Sequence, residues 1–160
     1  MLESAAYREK LAHPTAWSIK TMARFKNMIR AVARITASHG TGRGAVLGIV
    51  RLRPKAGHMD ELRAMLRTRL DPQELDGIIS MHLLESDAKL SGPTMEIPAA
   101  ASDGTGAGDW FVLIDGTNVA AVSSLLPARF TGNAAPPHAM QISSGIYELM
   151  WDLAEIDIAT

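Results

Sequence analysis

No cysteine occurs among the 160 residues. That excludes disulfides, thiolate metal sites and cysteine nucleophiles together, and it suits a reducing, cytoplasmic setting. Long apolar runs are missing too. The start, MLESAAYREKLAHPTAW, has no stretch that would serve as a signal-peptide core, and nothing later is long enough to span a bilayer as a helix. Catalytic signatures are equally scarce. The five histidines form no i, i+4 pair and no HExxH, and no carboxylates stand at facial-triad spacing, so no metal site is expected. The nearest approach to a serine-hydrolase elbow, Ser143-Ser144-Gly145, leads into a strand rather than a helix. Gly40-Thr41-Gly42-Arg43-Gly44 precedes a strand instead of joining strand to helix, which removes the phosphate-loop reading.

Positive charge is nearly absent from the second half. Residues 1–69 hold fourteen Lys/Arg against four Asp/Glu, whereas residues 70–160 hold two against thirteen, and the net charge is −1. A basic arm for nucleic acid or anionic lipid is one explanation. The basic residues are spread over helix and strand rather than massed in a tail, so charge complementarity within or between subunits is preferred, with no nucleic-acid partner.

What is present is a regular alternation of elements. Ala45–Arg53 is β-rich and stops at Pro54 and Gly57; Met59, Leu62, Met65, Leu66 and Leu70 then recur at helical spacing. Asp71-Pro72 and Asp76-Gly77 end that helix, and Ile78–Glu85 reads as a second strand. Ser86–Gly108 loses periodicity and reads as a long loop. Asp109–Asp115 is a third strand. Gly116-Thr117-Asn118 turns and caps a helix over Val119–Leu126, ended by Pro127, and Gly145–Leu153 is a fourth strand after a loose connection. Upstream, residues 3–12 and 15–33 read as helices, the second amphipathic with Trp17 as a packing anchor, followed by a flexible connector over 38–44. A division into a helical extension (1–44) and one domain (45–160) follows.

From residue 45 the order is β-α-β-β-α-β. Short connections and right-handed crossovers make it an α+β fold, a ferredoxin-like antiparallel sheet with both helices on one face. Its strands are apolar on both sides: Trp110, Val112 and Ile114 oppose Phe111 and Leu113. The face without helices therefore needs a cover, either a second copy of the sheet or the helix over 15–33.

Alternation places Ser80 and His82 opposite Met81 and Leu83, away from the helices. There His82 is the candidate general base, because imidazole titrates near neutral pH. Arg51, Asp115 and Glu148 are expected in the same interior, with Arg51 and Glu148 near one another as ligand anchors or as a mutual ion pair. Tyr147 and Trp151 share a face of the last strand and read as core aromatics or as an aromatic-substrate wall. His58, His138 and His13 read as surface residues, and His39 sits in the Gly-rich connector.

Pro54–Leu66, Leu75–Asp87 and Asp109–Leu125 resemble the first strand–helix junction, second strand and third strand–helix unit of the dimeric α+β barrel superfamily. That group includes antibiotic-biosynthesis-type monooxygenases, haem-degrading enzymes, muconolactone isomerase-like proteins and stress-responsive barrel proteins. The resemblance covers about residues 45–154. It implies a homodimer whose two sheets form a barrel, a pocket for a small hydrophobic or aromatic ligand, and cofactor-independent oxygenation or proton transfer beside a carbonyl, with His82 as base and Arg51 or Ser80 as positioning donor. The alternative it leaves open is a non-catalytic binding or stress-related barrel. The family's haem-degrading members use a histidine on or just after the second helix; Leu125–Phe130 has none. Haem is accordingly disfavoured, with His138 the one substitute downstream. The basic N-terminal helix is a third, weaker lead, as a docking arm for a membrane or acidic partner.

Overall fold

The computed structural model describes residues 9, 12–24, 29, 31–91 and 106–150. Five strands form one antiparallel sheet: β1 (Ala33–Gly40), β2 (Val46–Pro54), β3 (Ile78–Ser86), β4 (Trp110–Gly116) and β5 (Ala139–Glu148), in the order β1-β3-β4-β2-β5. The helices are α1 (Ala16–Met22), α2 (Met59–Arg69) and α3 (Val119–Arg129). Without β1 the order is that expected of a split βαβ sheet, so the α+β class holds and the topology is compatible with a ferredoxin-like fold.

One face of the sheet carries α2 and α3. Val50 and Leu52 on β2, Met81 and Leu83 on β3, and Trp110, Val112 and Ile114 on β4 meet Leu62 and Leu66 of α2 and Val122, Leu125 and Leu126 of α3 in a single core. Cross-strand pairs such as Val50 with Val112, and Leu83 with Val112, keep these residues on one side. Two glycines let α3 come close: a Cβ on Gly48 would lie 2.6 Å from Val122 Cγ1, and one on Gly116 2.5 Å from Val122 Cγ2. Asn118 caps α3 by accepting a hydrogen bond from the Ala121 N–H at 2.9 Å.

The other face carries no helix from α2 or α3. Leu47 and Ile49, Leu84, Phe111 and Leu113 line it and are half-buried, while Ile35 and Tyr147 at its margins are 64% and 58% exposed.

Several expectations are corrected. Helix α1 spans only Ala16–Met22, and Trp17 is 74% exposed, so it does not anchor packing. Ala33–Gly40, read as helix end and connector, is an edge strand; Ile35 and Thr36 are β-branched and suit it. Pro127 lies inside α3 rather than ending it. In the last turn proline forfeits only one intrahelical bond, and the chain runs on to Arg129. The last strand begins at Ala139, six residues earlier than expected. The short helix over 3–12 falls almost wholly outside the described residues, as does the central part of the 86–108 loop.

Candidate functional site

Strand β3 delivers Ser80 and His82 to the helix-free face. Asp115 follows from β4, directly paired with Ser80, and Ser38 from β1, directly paired with His82. These four make a chain of hydrogen bonds. Ser38 Oγ is 2.8 Å from His82 Nδ1; His82 Nε2 is 3.1 Å from Ser80 Oγ; Ser80 Oγ donates to Asp115 Oδ2 at 3.1 Å or to the Gly42 carbonyl at 3.2 Å. The Gly44 N–H donates to Asp115 Oδ1 at 3.2 Å. The connector after β1 thus folds over the ends of β3 and β4, and its backbone completes the network.

The proton count assigns the tautomer of the imidazole. Ser80 Oγ has one proton and three acceptors in reach, the Asp115 carboxylate, the Gly42 carbonyl and His82 Nε2; the anionic carboxylate is the strongest of them and takes that proton. Its oxygen then accepts from His82 Nε2–H, which leaves the lone pair on Nδ1, facing the Ser38 hydroxyl. Asp115 Oδ2 lies 3.8 Å from Nε2, behind the ring as seen from Ser38.

Arg51 is elsewhere. The register pairs it with Phe111 and Ser143, whereas Glu148 pairs with Val46, so the expected Arg51–Glu148 contact does not exist. The earlier start of β5 shifts the alignment by five residues. Arg51 instead meets Asp109: Nε donates to Oδ2 at 2.6 Å, and Nη2 lies 2.5 Å from the same oxygen without an angle for a second hydrogen bond. Arg53 Nε donates to Asp109 Oδ1 at 2.8 Å. Asp109 is fully buried and Arg51 is 3% exposed. This cluster closes one end of the helix-free face, where Ile29, Ala31 and Gly106 gather about the Phe111 ring.

Tyr147 pairs with Leu47 on the helix-free face and, with Arg43, Gly44, Asp115, Glu148 and Leu149, lines an open cleft of about 260 Å3 next to the histidine network. Glu148 is exposed at the strand end, and Trp151 lies outside the described residues. A groove of about 520 Å3 between the α2–β3 loop and α3 is larger, but it holds none of the expected site residues. His138, the possible haem substitute, stacks on His58 with centroids 5.2 Å apart, at the end of β2 remote from Asp115. Among the described residues no group of His, Asp and Glu is arranged to hold a metal ion, and no helix is long and apolar enough to cross a membrane.

On the covered face, Glu85 accepts two hydrogen bonds from Arg63, each at 2.7 Å, and one from Thr36 at 2.7 Å. Burial opposes its ionisation. The Arg63 and Thr36 hydrogen bonds and the nearby Arg63 and Arg67 charges outweigh that and hold the carboxyl below its ordinary range. The same pairing, against a burial cost, raises the already high Arg63 pKa.

Of the expected site residues, the fold brings together His82, Ser80 and Asp115, with Tyr147 and Glu148 at the adjoining cleft, and separates Arg51. Ser38, Gly42 and Gly44 were not foreseen. The only cue was β-branched Ile35-Thr36 two residues before Ser38.

No family model matches the chain, and no curated protein matches it. A solved structure of a major regulator of staphylococcal pathogenesis is similar at 12% identity and a TM-score of 0.49, over 74% of this chain and 68% of that one.

Proposed function

We propose that the protein is a homodimeric α+β barrel enzyme acting on a small hydrophobic or aromatic metabolite, with His82 as the general base for proton transfer beside a carbonyl. The observation that carries the reading is the His82 network: an imidazole whose basic nitrogen is fixed as Nδ1 by a hydroxyl and a carboxylate behind it, at the border of an apolar surface. Proton abstraction at carbon needs a poised base and a dry, apolar seat, and cofactor-independent oxygenation begins with the same step. A cytoplasmic location fits the cysteine-free composition.

The dimer supplies the dry seat. Five strands about 4.8 Å apart and about seven residues long at about 3.3 Å make a plate of roughly 550 Å2 before corrugation, about two thirds of the ~800 Å2 of accessible surface that each partner buries in a standard interface. Leu47, Ile49, Leu84 and Leu113 would be its centre.

The test uses 2-tetralone in deuterated water. The protein is expected to catalyse exchange at the carbon next to the carbonyl, and His82→Ala to lower the rate about 10²–10⁴-fold with an unchanged dimer mass. Equal rates for the two proteins would remove His82 from the base role. The second reading is a non-catalytic ligand-binding barrel, favoured by the fact that Ser80 and Asp115 are already hydrogen-bonded within the protein. It expects apolar ligands to raise the melting temperature while none is consumed.

A further inference from the structure

Ser38 is not needed for a base that acts directly on carbon, yet it occupies the nitrogen that would do so. Its hydroxyl sits 2.8 Å from His82 Nδ1, the nitrogen left with the lone pair by the proton count. The opposite nitrogen is oriented by Ser80, and through it by Asp115. A hydroxyl on a base, and a base held by a third group, is the arrangement that activates an oxygen nucleophile. Ser38 is exposed and lies on β1, which among the described residues is the edge strand of the sheet, so an acyl donor can reach its oxygen from solvent. At the margin of the same face, beside it, Ile35 is 64% exposed. An acyl chain would lie there.

We propose that Ser38 is a catalytic nucleophile, activated by His82, that takes the acyl group of small carboxylic esters. The inference rests on the reading of His82 as a base. In the first half, Ser38 Oγ bonds to the ester carbonyl carbon and its proton moves to His82 Nδ1; the bond to the alkoxide breaks, and the alkoxide leaves with that proton as the alcohol. In the second half, water adds to the Ser38 ester and gives a proton to Nδ1. Ser38 Oγ departs, recovers that proton, and the carboxylic acid is released. The net change is ester plus water to acid plus alcohol. The positive charge on the imidazole is balanced throughout by Asp115, 3.8 Å from Nε2.

The experiment treats the full chain with a fluorophosphonate, follows the adduct by intact mass and peptide mapping, and measures p-nitrophenyl butyrate hydrolysis alongside 2-tetralone exchange. One adduct on Ser38 is expected. Ser38→Ala should lose the adduct and at least about 10²-fold of the hydrolysis, with a melting temperature within about 2 °C of the parent. His82→Ala should slow adduct formation to the same degree. No adduct, an adduct on another residue, or full hydrolysis by Ser38→Ala would overturn the proposal. Absence of the adduct while 2-tetralone exchange persists sinks the nucleophile and leaves the base; a Ser38 adduct without exchange supports the nucleophile and sinks proton abstraction at carbon.

Discussion

The two faces of the sheet are built from strands of similar greasiness and have different fates. On the covered face every central side chain is buried: Val50, Leu52, Met81, Leu83, Val112 and Ile114 are shut under α2 and α3. Its charged group, Glu85, is tied by Arg63 and Thr36. The helix-free face has an apolar belt of half-buried residues, with a buried ionic cluster at one end and a hydroxyl–imidazole–carboxylate chain at the other. The difference teaches where to look for function. A side chain whose surroundings are complete within one chain holds the fold, whereas one whose surroundings stop at its own edge is available for something else.

The sharpest way to break this comparison is at Asp109. It sits on the helix-free face but is completely buried and accepts from Arg51 and Arg53, so by the rule above it is structural. Asp109→Ala would leave the Arg51 charge buried and unpaired, at a cost of about 3–5 kcal/mol. Thermal unfolding should fall by about 10 °C or more. A fall of only 1–2 °C would mean that Arg51 finds water and that this end of the sheet opens to solvent.

The next test sets a leucine of one face against a leucine of the other. Leu66 of α2 is fully buried in the covered core, and Leu66→Ala should cost about 2–5 kcal/mol. Leu113, at the centre of the helix-free face between His82 of β3 and Ile49 of β2, should behave otherwise. Leu113→Asp is expected to leave a folded chain and to convert a particle of twice the 17.2 kDa chain mass into a single subunit, read by light scattering at micromolar concentration. A parent that is already a lone subunit there would show that some other surface covers this face.

The order of elements from residue 45 was legible because its period changes are unambiguous: alternation over Ala45–Arg53, a 3.6-residue repeat through Leu62 and Leu66, and alternation again from Ile78. The same alternation separated Ser80 and His82 from Met81 and Leu83, so half of the site could be read. Arg51's partner could not. Pairing in a sheet depends on where the neighbouring strand begins, and a start six residues early moved Glu148 away. Strand β1 was hidden for another reason: ARITASHG has no clean alternation, and tertiary pairing with β3 decides it. With β1 hidden, Ser38 and the backbone of Gly42 and Gly44 were hidden too.

The smallest effect is expected at Glu85, and it tests the covered face. Its side chain is 14% exposed and that of Arg63 28%, so water can reach both once the pair is broken, unlike at Asp109. Glu85→Gln should therefore cost about 1–2 kcal/mol at neutral pH, less than the fully buried pair. The pH dependence has a definite sign. The folded-state pKa of Glu85 is lowered from its ordinary 4.5, so its contribution is complete above that value and fades as pH falls through the lower folded pKa. Parent and Glu85→Gln should differ by a constant amount from pH 7 down to about pH 5 and converge below it. Urea midpoints taken across that range measure the difference directly. A gap that stayed constant down to pH 3 would assign the loss to packing around Trp110, over which the Arg63 guanidinium lies 5.2 Å from the ring centre, rather than to the carboxylate.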